Sequence, residues 1–271
     1  MGIRAEAGEG CVEIGHDIDT FRRIEFIRMR DLALKLNARR MKRGSIDFDL
    51  PEPVITLDAM GQMVSITRAE RNIAHRLIEE CMLAANVCSA DFIMRAKHPS
   101  LFRVHEGPTP EKRSLLKNYL KALGLGLGIG EEPTPGEFQA IAQATKDRPD
   151  AQQIHTMLLR SMQQAIYTPI NSGHFGLAYD AYTHFTSPIR RYPDLLVHRV
   201  IKALLGSGRY NLILPANVVS SVGNIKRKPG GKGAPAKGLP AAPTKASSRI
   251  KLPPAETAAW ETAGIHCSAN E

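Results

Sequence analysis

The sequence predicts an α+β chain, helical in the majority, with a short sheet. Three observations carry this. Long stretches place apolar residues three and four apart, the period of a buried helix face. Only a few short runs alternate or cluster β-branched residues, as strands do. Proline, glycine and capping residues punctuate the helical stretches at their ends.

Taken in order, residues 1–22 show little pattern. Residues 23–43 carry Ile24, Ile27, Leu32, Leu34 and Leu36 at helical spacing, and Gly44 stops them. Val54–Leu57 and Met63–Ile66, joined by Asp58-Ala59-Met60-Gly61, read as a hairpin. A long helix follows from about Glu70 to Lys97, ended near Pro99, and a shorter one fits Pro110–Leu123. The glycines of Gly124–Gly130 match neither the dinucleotide nor the P-loop spacing, so they read as a plain loop. Pro135–Thr145 and Ala151–Thr168 are two more helices, and His174–Tyr182 reads as a strand. Pro193–Leu205 is a helix with proline in its first turn and Gly206 at its end, and Trp260–Asn270 begins a last one.

Composition narrows the class. At 271 residues, with 43% hydrophobic and 23% charged residues, the chain is ordinary for a globular protein. No apolar run approaches the ~20 residues that cross a bilayer, and the N-terminus has no apolar signal core. Four cysteines without a C-x-x-C pair suit a reducing cytoplasm and suggest no metal site. The net charge is +9, but eight basic residues and no acidic one fall between Val222 and Lys251, which leaves +1 for the rest. That segment is rich in Gly, Pro, Ala and Lys, with too few large apolar residues to offset its ordering entropy, and reads as a disordered basic loop. It is either a solvated linker or an arm with salt-sensitive attraction to phosphates. The expected organisation is therefore a poorly defined 1–22, a main domain over 23–221, the basic loop over 222–253, and a final helix over 254–271.

Two constellations stand out. On the long helix, Ile73, Leu77, Cys81, Ala84, Cys88 and Phe92 share one arc, the expected core stripe. His75, Glu79, Met82 and Asn86 share another. A carboxylate and an amide there need partners, since an unpaired buried charge is costly. The alternatives are a salt bridge to a neighbouring helix, through Arg160, or a ligand cavity faced by Glu79 and Asn86. The second constellation is His184-Phe-Thr-Ser-Pro-Ile-Arg-Arg-Tyr-Pro-Asp-Leu195. Arg190 and Arg191 sit between a turn and a helix start, where guanidinium forks and the helix terminus both favour an anion. Tyr192, Phe185 and His184 offer flat faces for a base or sugar. Pairing of both arginines with Asp194 is the structural alternative.

HFTSPIRRYPDLLVHR (His184–Arg199) resembles the signature of the RNB-domain exoribonucleases, the ribonuclease II/ribonuclease R family. RNIAHRLIEECMLAANV (Arg71–Val87), DRPDAQQIHTMLLRSMQQAIY (Asp147–Tyr167) and GHFGLAYDAYTHF (Gly173–Phe185) agree with it. The likeness runs from about Arg23 to Glu271, with the basic loop as an insertion between two family helices. It implies a partial RNB-domain fold and a cytoplasmic, processive 3′→5′ exoribonuclease. Such an enzyme hydrolyses single-stranded RNA to nucleoside 5′-monophosphates, with no DNA or membrane partner. It assigns Arg190 to the scissile phosphate and Glu79, chosen over Glu80, to the 3′-terminal nucleotide. Arg191, Tyr192, His184 and Asn86 are expected to support that pocket. It also implies Mg²⁺ held by an acidic D-x-D-D-like cluster, which this sequence does not carry. Asp17 and Asp19 form only D-x-D in another context, and Asp47 and Asp49 match a later family segment. The flanking OB folds have no counterpart here either. The expectation is the C-terminal half of an RNB domain, truncated, with little or no hydrolysis of its own. A non-catalytic RNA-binding module is the alternative, and a half-domain that does not fold alone is a third.

Overall fold

The computed structural model describes residues 3–5, 12–14, 20–47, 53–69, 72–125, 128–214, 218 and 254–271. The expected basic loop over 222–253 lies outside them. The chain divides into two compact units, Met1–Lys42 with Asp47–Leu83, and Arg43–Ile46 with Ala84–Glu271.

In the first unit, strands β1 (Ile3–Ala5) and β2 (Val12–Ile14) pair antiparallel within the stretch read as patternless. Helix α1 (Thr20–Lys42) starts earlier than expected. Strands β3 (Pro53–Leu57) and β4 (Met63–Arg68) form the expected hairpin, with Val54 opposite Thr67 and Ile55 opposite Ile66. Its turn is built by Asp58, whose Oδ1 accepts the N–H groups of Met60 and Gln62, each at 2.8 Å. Gly61 has φ 77°, a conformation that costs glycine least. Val54, Ile55, Leu57, Met63, Val64 and Ile66 of this hairpin are all exposed. Helix α2 (Ile73–Arg95) begins in this unit. Its Glu80 is buried and meets Arg40 of α1, with Nε to Oε1 at 2.8 Å, while Asn37 Nδ2 donates to the same oxygen at 3.0 Å. Arg40 of α1 is thus the partner of Glu80, the acid next to Glu79 on this helix. A buried carboxylate keeps its charge only with such partners.

In the second unit, strands β5 (Phe102–Val104) and β6 (Ile166–Thr168) pair antiparallel, with Arg103 opposite Tyr167. The sheet component is therefore three separate two-stranded pairs among the described residues. Helices α3 (Pro110–Ala122) and α4 (Pro135–Ala144) start where the sequence places a threonine before a proline. Thr109 caps α3, and Thr134 with Glu137 forms a reciprocal capping box on α4. Helix α5 (Ala151–Ser161) is shorter than expected. Lys112 Nζ donates to the carbonyls of Arg160 and Met162, which satisfies the helix end, and the residues beyond turn into β6. The 174–182 segment is a compact turn rather than a strand: His174 N–H bonds Tyr179 O, and Phe175 N–H bonds His105 O, both at 2.8 Å. Helix α6 (Tyr192–Leu205) is as expected, and α7 (Pro254–Ala269) begins ahead of Trp260, where the local pattern alone placed it.

The core of this unit gathers Ile93 of α2, Leu101, Tyr167, Leu196, Val197 and Val200 of α6, and Trp260 of α7. The expected core stripe of α2 is corrected here. Cys81, Cys88 and Phe92 are exposed, while Asn86, Ser89, Ala90 and Ile93 are buried. Of the polar stripe, Asn86 is buried and Glu79 and Met82 are partly covered, while His75 is exposed. Ala90 packs with Phe102, Val104 and Ala181, and small side chains let that backbone approach closely, so apolar bulk pointed to the wrong face.

Candidate nucleic-acid interface

The segment that leads into α6 hangs on β5. Arg103 N–H bonds Tyr182 O at 2.8 Å, and Thr183 Oγ1 donates to Leu101 O at 2.6 Å. Asn86 then holds the next residues from α2. Its Nδ2 donates to Tyr182 Oη at 2.8 Å, and its Oδ1 accepts Phe185 N–H at 3.0 Å. Buried and occupied at both ends of its amide, Asn86 orders the loop from within. His198 Nε2 meets Phe185 O at 2.8 Å, and the two rings stack with centroids 4.1 Å apart.

A tight turn follows. Ser187 O accepts the N–H groups of Arg190 and Arg191, at 3.3 and 3.1 Å. Asp194, in the first turn of α6 and fully buried, accepts Ser187 N–H and Arg191 Nη2 at Oδ1, each at 2.8 Å. The two arginines therefore differ. Arg191 is tied inward and mostly covered, whereas Arg190 is exposed, with no side-chain hydrogen bond or ion pair among the described residues. No side chain caps the start of α6, so its partial positive charge lies beside Arg190. Tyr192 is partly exposed next to it.

Tyr167 and His184 form the neighbouring wall. Burial pushes the Tyr167 hydroxyl up to about 12, so it stays protonated, and it shares a hydrogen bond with His184 Nδ1 at 2.7 Å. Burial first, and the Arg191 guanidinium second, hold His184 down at about 4. Its imidazole is therefore neutral at pH 7. Burial also holds His174 well below the ordinary range and lowers His105. Their rings lie 4.9 Å apart, and His174 and His184 each meet the Tyr182 ring edge-on.

A group whose folded pKa is lowered stabilises the fold fully above its unfolded pKa and loses that contribution as pH falls towards the folded value. The melting temperature is thus expected to fall as pH drops from 6.5 towards 4, and His184→Gln to shallow that slope. Thermal melts across this range check it. A flat or rising profile contradicts the buried neutral imidazoles.

A cavity of about 420 Å³ opens beside this wall, lined among others by Tyr167, Arg190, Arg191, Tyr192, His266 and Glu271. Arg103 lies over the Tyr167 ring at 4.6 Å and pairs with Glu271 at the chain end. Glu79 lies in the first unit, half-buried on α2, seven residues before Asn86. Glu80 is consumed by Arg40 and Asn37. The structure thus gathers Asn86, His184, Arg190, Arg191 and Tyr192 within one unit and around one loop. Tyr167 and Tyr182 are not among the expected site residues, and the tie to Asp194 is the structural alternative, which holds for Arg191. Asp194 stands three residues after Arg191 at a helix start, which is the spacing that reveals such a pair. The implied Mg²⁺ does not fit what is described: no three His, Cys, Asp or Glu side chains gather in a metal-holding group among the described residues.

The site thus combines an exposed guanidinium at a helix start without a side-chain cap with aromatic rings in a cleft, chemistry that attracts an anion. The RNB domain matches residues 14–207, most of the chain, and the chain belongs to that family. Its relatives include ribonuclease R of Escherichia coli (strain K12), 48% identical over 177 residues, which cover 65% of this chain and 22% of the relative. The chain therefore spans less than a quarter of that relative's length. Among solved structures it is similar to the apo form of Mycoplasma genitalium RNase R, with TM-score 0.66 and 29% identity over 69% of this chain and 29% of that one. The same protein in complex with ribose methylated single-stranded RNA gives TM-score 0.62 at 29% identity, with the same coverage.

Proposed function

We propose that this chain is part of a ribonuclease R-type 3′→5′ exoribonuclease, and that its own share of the reaction is to hold single-stranded RNA by a backbone phosphate. The observation that carries the reading is the asymmetry of the arginine pair: Arg191 is spent on Asp194, and Arg190 is left exposed at the start of α6. Arg190 is the ligand for the scissile phosphate. His184, Tyr192 and the cavity beside them receive the 3′-terminal nucleotide, and Glu79 is assigned to the same end of the RNA by family likeness. Hydrolysis to nucleoside 5′-monophosphates belongs to the longer enzyme. The described residues assemble no metal-holding acidic group, so no step through Mg²⁺ is derived for them.

Equilibrium binding of a fluorescent single-stranded oligoribonucleotide tests this. Arg190→Ala is expected to weaken binding at least about tenfold, the scale of a lost charge-assisted hydrogen bond. Affinity unchanged by Arg190→Ala contradicts the reading. With Mg²⁺ added, the purified chain is expected to release little mononucleotide, and robust release contradicts the division of labour. The run of eight basic residues between Val222 and Lys251 supports a second reading, a purely electrostatic RNA-binding module. Its mark is affinity that falls steeply with salt yet ignores Arg190.

A further inference from the structure

We propose that Asp194 is a positioning residue that sorts the two arginines, retaining Arg191 as an internal tie and leaving Arg190 to the phosphate. The inference rests on the phosphate reading of Arg190 and adds what makes the two neighbours unequal. Asp194 has no exposed surface, so its carboxylate must hold partners inside the fold. One oxygen serves two of them, the Ser187 N–H that opens the turn and the Arg191 Nη2 that closes it, each at 2.8 Å. Residues 187–191 are thereby closed onto the first turn of α6, and Ser187 O fixes the amides of both arginines from the other side.

The pairing is not the full two-bond fork that an arginine and a carboxylate can make. Arg191 Nε, Asp194 Oδ2 and Thr186 Oγ1 are all buried without a hydrogen-bond partner among the described residues. Asp194 meets the geometry of the turn at the expense of its second bond. The feature is thus fitted to presenting the loop, and a pair built for stability alone would close both bonds. Without the carboxylate, Arg191 has no inward anchor, and two equivalent guanidinium groups on a looser turn replace one that is aimed.

Phenylglyoxal labelling of the free chain, read residue by residue by tandem mass spectrometry, tests the sorting without any RNA. In the wild type Arg190 is expected to label and Arg191 to be protected. In Asp194→Asn, which keeps an acceptor for Ser187 but loses the charge, Arg191 is expected to label as readily as Arg190. RNA binding then tests the consequence. Asp194→Asn alone is expected to lose about fivefold to tenfold in affinity. On top of Arg190→Ala it is expected to add less than about twofold, because both act through the same contact. If Asp194→Asn fails to fold, Arg191→Gln removes the guanidinium that Asp194 holds and carries the same cycle. Equal labelling of the two arginines in the wild type, protection of Arg191 that survives Asp194→Asn, or losses that multiply would each overturn the proposal. Affinity that ignores Arg190→Ala while the labelling pattern holds rejects the phosphate reading and leaves the sorting intact.

Discussion

Gly264→Ala is expected to destabilise the second unit by about 3 kcal/mol, at the upper end of the usual cost of overpacking. Gly264 faces β6 across the α7 contact. A Cβ there would lie 2.6 Å from Tyr167 O and 3.2 Å from Tyr167 C, both backbone atoms that cannot swing aside. The same face carries Ser268, whose hydroxyl donates to Gly264 O and accepts Tyr167 N–H, each at 2.8 Å. The helix must therefore lift from the strand, and the cost includes this bridge and the packing of Trp260. A loss of that size lowers the melting temperature of a unit this large by roughly 6–12 °C. Gly128→Ala is the control, because nothing lies within 4 Å of a Cβ at that position. Equal melting of the two variants contradicts the close α7–β6 approach. RNA affinity is expected to fall with Gly264→Ala as well, since Tyr167 carries the hydroxyl that fixes His184.

Asn86→Leu is expected to cost a further ~3 kcal/mol, because it strands two buried groups at once. The Tyr182 hydroxyl loses its donor, and the Phe185 N–H loses its acceptor. Tyr182→Phe removes only one of these bonds and is expected to cost about 1 kcal/mol. Denaturant melts of the two variants check the ratio. Near-equal losses mean that Phe185 N–H finds another acceptor and that Asn86 is not the clamp. The variant also frees the chain just ahead of Ser187, so weaker RNA binding accompanies the loss of stability even though Asn86 faces no solvent.

How much of this was legible in the sequence depends on what each feature rests on. Helices α3 and α4 are announced by a capping threonine followed by proline, and α6 by a proline in its first turn, and they begin within a residue of where that chemistry places them. The end of α5 is not local: it is fixed by Lys112, some fifty residues away, and by the pairing of β6 with β5. The periodicity of α2 gave the helix but the wrong inner face. Asn86, Ser89 and Ala90 are buried because they are small or bonded, and a count of apolar bulk assigns them to solvent. At the site, the arginine pair was visible as a pair. Its inequality was not, because Asp194 satisfies one arginine and not the other, and only the folded turn decides which. The approach of Gly264 to Tyr167 joins residues nearly a hundred apart and leaves no trace in local pattern.

The central claim is that RNA is held at the loop presented by Asn86 and Asp194, with Arg190 on the phosphate. The most direct test is photo-crosslinking of the whole chain to an oligoribonucleotide carrying 4-thiouridine at its 3′ end, with the crosslinked residues located by mass spectrometry. The account predicts crosslinks within His184–Tyr192 and the end of α7 that fade in Arg190→Ala. Crosslinks confined to the basic stretch between Val222 and Lys251, unchanged by Arg190→Ala, would contradict it.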